Sequence, residues 1–331
     1  MVSSSEKECV EAAVGFPSRT PVSTLLSISH IFGATKNRCG IYLLAFPSDL
    51  FYIGQAVDVV RRFSQHRKNY DDISGFSFIS VPKNELNDVE KSLIFKAESL
   101  GVKLKNAVHV SSITGETDFD LIVPESEQNA WFASASRFDD SENTSPIIQL
   151  PDSQQLRFSK NFEQFTKHQF AQSALGILKR YILECIPTPR TSEYSFWSVS
   201  CMPSTNKNTA PRLFCVSAAS MELLVVGFWK KSKTPWSFVT VDAKVLEEHW
   251  PDPDELLKKF PFAEWEESSY RDAGQNQIRF RCENYEDMKT LLSDHGFCQA
   301  AAALSLRVMR KRPNFYSQYH CAQLSNLAFT K

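Results

Sequence analysis

The residues best suited to chemistry lie in one early stretch. "GIYLLAFPSDLFYIG", Gly40 to Gly54, places Tyr42 and Tyr52 in two apolar runs on either side of Pro47-Ser48-Asp49. The stretch after it carries Arg62 and His66, and a later one carries Glu90 in "VEKSLI". Phenols and imidazoles move protons. A guanidinium grips carboxylates and phosphates through its planar fork. A carboxylate among apolar residues calls for a cation, a metal ion or a donor network to offset its desolvation.

Regular elements must bring these groups together. The two apolar runs read as paired strands. With Pro47-Ser48-Asp49 as the loop, Phe46 pairs with Leu50, Leu44 with Tyr52, and Tyr42 with Gly54, so both tyrosines share one face, diagonal to each other. Gly54 then leaves open space above the Tyr42 ring. A turn shifted by one residue would instead put the phenols on opposite faces. "DVVRRFSQHRK" predicts a helix capped by Asp58. Arg62 and His66, four residues apart, share a face of it. Arg61, Arg67 and Lys68 extend that basic surface, which is also what a merely solvated helix face looks like. "FSFISV" predicts a third strand ended by Pro82. "NELNDVEKSLIFKAESLG" predicts a helix with Asn84 as its cap, Leu86, Val89, Leu93, Ala97 and Leu100 as its apolar stripe, and Gly101 as its stop. Glu90 falls at or inside that stripe; taken alone, a surface glutamate at the stripe edge is the plainer account.

The ordered set is more specific than any member. Gly40-Ile41-Tyr42, Tyr52-Ile53-Gly54, Arg62 and His66 on the following helix, Glu90 in "VEKSLI" and Asn106 in "LKNA" resemble the GIY-YIG nuclease domain over residues 38–112. That family includes intron-encoded homing endonucleases, the incision subunit of bacterial nucleotide excision repair and some restriction enzymes. Cys39 stands where a proline is often found. The resemblance implies a small three-stranded antiparallel sheet flanked by helices, and a metal-dependent hydrolysis of DNA phosphodiester bonds. It implies that Tyr42 acts as general base or positions the water, and that Tyr52 contacts the phosphate or the water. Arg62 would neutralise the phosphoryl group, and His66 would help remove the Tyr42 proton. Glu90 would bind one Mg²⁺ or Mn²⁺ ion per active site, and Asn106 would brace the site. A free phenol titrates near 10, so Tyr42 needs a neighbouring positive charge to act near neutral pH.

The whole chain has 331 residues and an apolar share of 42%, room for two domains with real cores. Its formal net charge of −1 neither calls for nor excludes nucleic acid. The charged N-terminal segment lacks the apolar core of an export signal. Even the most apolar run, "LFCVSAASMELLVVGFW", is broken by Ser217, Ser220 and Glu222, so no membrane contact and a cytoplasmic location are expected. The eight cysteines form no C-x-x-C pair and read as reduced, buried thiols.

The expected organisation is α+β. A leader with a short helix in "VSTLLSISHIF" fills 1–36, the nuclease-like domain 37–124, an acidic, Ser-rich linker 125–155, and a C-terminal α+β domain with an antiparallel sheet 156–331. In the last, "FEQFTKHQFAQSALGILKRYILEC" predicts one helix and four β-rich runs follow it. Its C-terminus gathers Arg307, Arg310, Lys311 and Arg312 with Phe315, Tyr316 and Tyr319, and no acidic residue occurs from Ala301 to Lys331. This is either a nucleic-acid contact or a basic helix end with packed aromatics. Lys230 and Lys231 in "FWKKSKTPW" are further candidate contacts, or the charged tip of a hairpin. The expected substrate is double-stranded DNA, its choice set by the C-terminal domain, which could also hold a homodimer contact or a protein partner. The competing expectations are a nucleic-acid-binding or regulatory protein with an idle nuclease scaffold, and a nuclease gated through a large apolar pocket in residues 190–300.

Overall fold

The computed structural model of the chain describes residues 10–33, 37–106, 109–110, 117–134 and 151–330. The chain divides into two compact units, Met1–Thr114 and Gly115–Lys331. Both are α+β.

Among the described residues the first unit has five strands: β1 (Thr20–Pro21), β2 (Gly40–Ala45), β3 (Leu50–Ala56), β4 (Gly75–Ser80) and β5 (Lys103–Leu104), in the order β1-β4-β2-β3-β5. The pairings are antiparallel except β3 with β5. The three long strands are those expected; the two-residue pieces at the margins are too short to show alternation in sequence. Helices α1 (Val59–Asn69) and α2 (Leu86–Ser99) cover opposite faces. Tyr42, Leu44 and Phe46 pack with Val59 and Phe63 on one side. Ile41, Leu43 and Ile53 pack with Leu86, Ile94 and Ala97 on the other. This is the period-two alternation of strands buried on both faces.

Local chemistry explains most of the boundaries. Asp58 caps α1 by accepting from the Val60 and Arg61 amides. Asn84 does not cap α2: it lies in a 3₁₀ turn, Lys83–Glu85, that runs directly into the helix. Gly101, at φ 72°, ends α2 as expected. Its amide donates to the Glu98 carbonyl, and the Val102 amide donates to Ala97. Leu100 is exposed rather than part of the buried stripe, and Ile94, not among the expected stripe residues, is fully buried. "VSTLLSISHIF" forms only a 3₁₀ turn, Ser29–Ile31. Its serines compete for backbone hydrogen bonds, while Val22, Ile28 and Phe32 are buried without a helix.

Among the described residues the second unit carries six strands: β6 (Trp197–Cys201), β7 (Arg212–Ala218), β8 (Met221–Phe228), β9 (Pro235–Val241), β10 (Glu264–Glu267) and β11 (Ile278–Cys282), in the order β10-β11-β9-β8-β7-β6 and antiparallel throughout. Helices α3 (Glu125–Ala133), α4 (Ser159–Thr166), α5 (Ala171–Cys185), α6 (Tyr285–Leu291) and α7 (His295–Lys311) accompany it. Trp197, Val199, Val216, Leu224 and Val226 face a core filled by α5, α6 and α7. The other face carries a smaller cluster around Ala210, Cys215, Val225 and Trp236.

Several expectations for this half give way. The segment 125–133 is not linker but helix α3, and it belongs to the second unit. Gln128 is buried there and donates to Asp120 Oδ1 and the Val123 carbonyl, both at 2.6 Å. The middle of the expected linker, 135–150 with Phe138, and residues 1–9 with Cys9, lie outside the described residues. The single helix expected over 162–185 is two, α4 and α5, because the chain turns at His168, whose Nδ1 accepts from the Phe170 amide. No helix among the described residues is long and apolar enough to cross a membrane. The described cysteines are free thiols, buried except for Cys39.

The basic C-terminal cluster is consumed inside the unit. Arg307 pairs with Asp242 at 2.8 Å and Arg310 with Asp120 at 3.3 Å. Arg312 binds Asp272 and Ser220, and Lys311 is buried. Buried or partly buried cations need such partners. Half-buried Arg310 and buried Lys311 are therefore not the exposed nucleic-acid contacts expected of them, whereas Arg312 stays exposed while bound to Asp272 and Ser220.

Candidate active site

The hairpin follows the unshifted register. Tyr42 pairs with Gly54 and Leu44 with Tyr52. Pro47–Asp49 forms the 3₁₀ connection, with Asp49 at φ 56°. The tyrosine rings face each other with centroids 6.1 Å apart. The space above Gly54 is not open: a Cβ there would lie 2.5 Å from the Tyr42 hydroxyl and 2.7 Å from Tyr52 Cε1. The glycine is the gap into which the phenol fits.

Helix α1 completes the group from the same side. The Tyr42 hydroxyl lies 2.7 Å from His66 Nε2, and Arg62 Nε donates to it at 3.4 Å. Arginine can only donate, so the phenol oxygen accepts from Arg62; the direction of its bond to His66 is set by the imidazole tautomer, and with the ring proton on Nδ1 the phenol donates to Nε2. Arg62 NH1 also donates to Gln65 Oε1 at 3.2 Å. The His66 ring stacks on Tyr70, with centroids 6.0 Å apart and planes at 18°.

Burial sets the protonation states. It pushes the Tyr42 phenol up, aided by Tyr52, and outweighs the hydrogen bond and charge of Arg62. Tyr52 is raised chiefly by burial, with Arg62 opposing and Glu90 adding to the rise. The bond to Tyr42 leads the causes that raise Arg62 and keep it charged. Burial first, then the Arg62 charge, push His66 down to about 4. The Arg62 charge alone does not bring the phenol near neutral pH in this state: desolvation wins. What the geometry offers is a neutral imidazole in line to accept the phenolic proton.

The His66 titration is directly measurable. An NMR titration of its ring protons is expected to give a midpoint near 4, against 6.5 for an unperturbed histidine. The folded value lies below the unfolded one, so the unfolded state binds more protons between them. Stability is then fully present above about 6.5 and falls as pH drops through about 4, by about 2 kcal/mol after allowance for solvent screening. A midpoint near 6.5 would show that the ring is neither desolvated nor close to Arg62.

Glu90 is placed differently. Helix α2 lies on the face of the sheet opposite the tyrosines. Gln55 Nε2 donates to Glu90 Oε2 at 2.8 Å and to Asn87 Oδ1 at 2.7 Å, so a side-chain amide is one of the donors that the position asks for. Strand β5 covers only Leu50 and Phe51. Beyond Phe51 no described strand pairs with this edge of β3, and the Glu90 charge acts on Tyr52. Sequence reasoning missed Gln55, whose signal was a polar residue straight after Tyr-Ile-Gly on the Ile53 side of the strand.

Asn106 is buried and grips both backbone groups of Ile53. The Ile53 amide donates to Oδ1 at 3.0 Å, and Nδ2 donates to the Ile53 carbonyl at 2.6 Å. It carries the β3–β5 pairing onward with a side chain and fixes the backbone between Tyr52 and Gly54.

The flanking cations divide. The Arg67 guanidinium donates to the carbonyls of Val22, Leu25, Asp71 and Ile73 at 2.6–3.1 Å. It staples loops and is not the exposed nucleic-acid contact expected. Arg61 and Lys68 on the same helix are exposed; Lys230 and Lys231, in the second unit, are exposed there.

No cluster of three or more His, Cys, Asp or Glu side chains able to hold a metal occurs among the described residues. A hard divalent ion such as Mg²⁺ does not need one, since one or two carboxylates with water and substrate phosphate suffice. The half-buried Glu90 carboxylate, oriented by Gln55, fits that donor set. In comparisons with known proteins, no family model, curated protein or solved structure matches the chain.

Proposed function

We propose that the first unit is a GIY-YIG endonuclease domain that hydrolyses DNA phosphodiester bonds, with its target chosen by the second unit. The observation that carries this reading is the Tyr42 hydroxyl held between neutral His66 and charged Arg62, with Tyr52 facing it. In the proposed reaction Tyr42 takes a proton from the attacking water as its own passes to His66. The water oxygen bonds to phosphorus, one P–O ester bond breaks, and the departing oxygen takes a proton from solvent, to which His66 later returns its own. Arg62, exposed on α1, meets the negative charge that builds on the phosphoryl oxygens. Tyr52 orients the phosphate or the water. Mg²⁺ or Mn²⁺ bound at Glu90 supplies Lewis-acid charge for the phosphate.

A second reading, an idle nuclease scaffold that only binds nucleic acid, draws on two observations. Tyr42 is 1% exposed, and Glu90 stands on the other face of the sheet.

Supercoiled plasmid incubated with Mg²⁺ or with EDTA, beside Glu90→Gln, tests both. Metal-dependent nicking that falls by about a hundredfold or more in the variant is the expected result. Plasmid retention in a gel shift with no cleavage under any metal would favour the idle scaffold. Cleavage unchanged in Glu90→Gln would remove Glu90 from the site.

A further inference from the structure

The open face of the six-stranded sheet is hollow. A cleft of about 800 Å³ lies there, within the second unit. Its floor is set by side-chain size. Ser198 pairs with Ser217 and Ser200 with Cys215, so small hydroxyl and thiol groups face one another across β6 and β7, with Glu222 of β8 beside Ser217. Sheet interiors usually favour β-branched and aromatic residues. Small polar groups there leave unfilled volume and a floor able to donate and accept hydrogen bonds. The cleft is thus not the apolar pocket expected of a gated effector.

The walls and lip have a different character. Phe158, Phe228, Tyr316 and Tyr319 line the sides. Lys207, Lys230 and Lys233 stand exposed at the margin. Among the lining residues the carboxylate is Glu222, and it is already neutralised by Arg212 and receives the Tyr270 hydroxyl at 2.9 Å. The lysines make no ion pair among the described residues, so the cleft carries an uncompensated positive lip. Its volume falls within the range of about 300–1,000 Å³ typical of small-molecule sites.

A positive lip, aromatic walls and a hydroxyl-lined floor suit a ligand with phosphate at one end and a flat, polar-edged ring at the other. We propose that this cleft binds a nucleotide: phosphate on the lysines, the base against the aromatic walls, and the polar edge of the base or sugar on the serines. The occupant is a free nucleoside phosphate or a nucleotide of a single strand. The inference stands apart from the nuclease reading, because it requires no activity of the first unit.

The test uses the full chain and two fluorescent probes, labelled ATP and a short labelled oligothymidylate, read by anisotropy. The variant is Lys207→Glu/Lys230→Glu, both exposed and outside the core. The expected result is binding that weakens about tenfold or more in the variant, while Arg62→Ala in the other unit binds as the wild type does. Such a loss for ATP identifies a free nucleotide; for the oligonucleotide alone, a strand segment. No binding of either probe up to about 1 mM, or binding that the lysine variant leaves unchanged, overturns the proposal.

Discussion

Gly54→Ala is expected to destabilise the first unit by about 2–4 kcal/mol and to dismantle the tyrosine pair. The new Cβ would lie 2.5 Å from the Tyr42 hydroxyl, 2.7 Å from its Cζ and 2.7 Å from Tyr52 Cε1. Neither ring has an easy retreat. Tyr42 packs with Val59, Phe63 and Phe76 in one buried cluster, and its hydroxyl is fixed by His66 and Arg62. Overpacking a close-packed interior costs about 1–3 kcal/mol, and a broken buried hydrogen bond adds about 1. Two compact units need not unfold in one step. A denaturant titration followed at the His66 ring signal reports on the first unit alone. Gly33→Ala is the control: a Cβ there meets nothing within 4 Å, and its effect should stay within about 0.5 kcal/mol. Equal stability of the two variants would mean that the strand can shift freely beneath the tyrosines.

That glycine also shows why the hairpin was legible in sequence and other parts were not. Strand parity is a rigid rule, and the Pro47-Ser48-Asp49 connection fixed the pairing, so the positions of Tyr42, Tyr52 and Gly54 followed from spacing. Asp58 announced α1 through a capping chemistry that acts within three residues. Long-range closure leaves no such mark. Strand β5 and the grip of Asn106 on Ile53 depend on residues 53 positions apart. The partners of the C-terminal arginines are similarly remote: Asp120 lies 190 positions from Arg310. Charge counting along the chain therefore saw an unbalanced basic tail where folding makes pairs. The site was half legible for the same reason. Tyr42, Tyr52, Arg62 and His66 come together through one hairpin and the next helix. The placement of Glu90 across the sheet, with Gln55 as its link, depends on how α2 packs.

Arg62→Ala is expected to remove plasmid cleavage, by about a thousandfold if its guanidinium meets charge on the phosphoryl group, while leaving the fold intact. Its side chain is largely exposed; Nε makes a long bond to the Tyr42 hydroxyl, and the guanidinium also donates to the exposed Gln65. Two titrations follow from the same charge. Arg62 is one of two causes holding His66 near 4, so the variant midpoint should rise, yet stay below 6.5 because burial is the larger cause. Tyr42 loses the interaction that opposed its desolvation, so its phenol should become a still weaker acid. Arg62→Lys should restore the His66 midpoint, which depends on charge, but not cleavage, which depends on the planar fork. The two readouts separate the competing functions. A His66 shift with cleavage lost means that the arginine serves the reaction. A His66 shift in a protein whose wild type binds DNA without cutting it means that the same constellation is kept for binding alone.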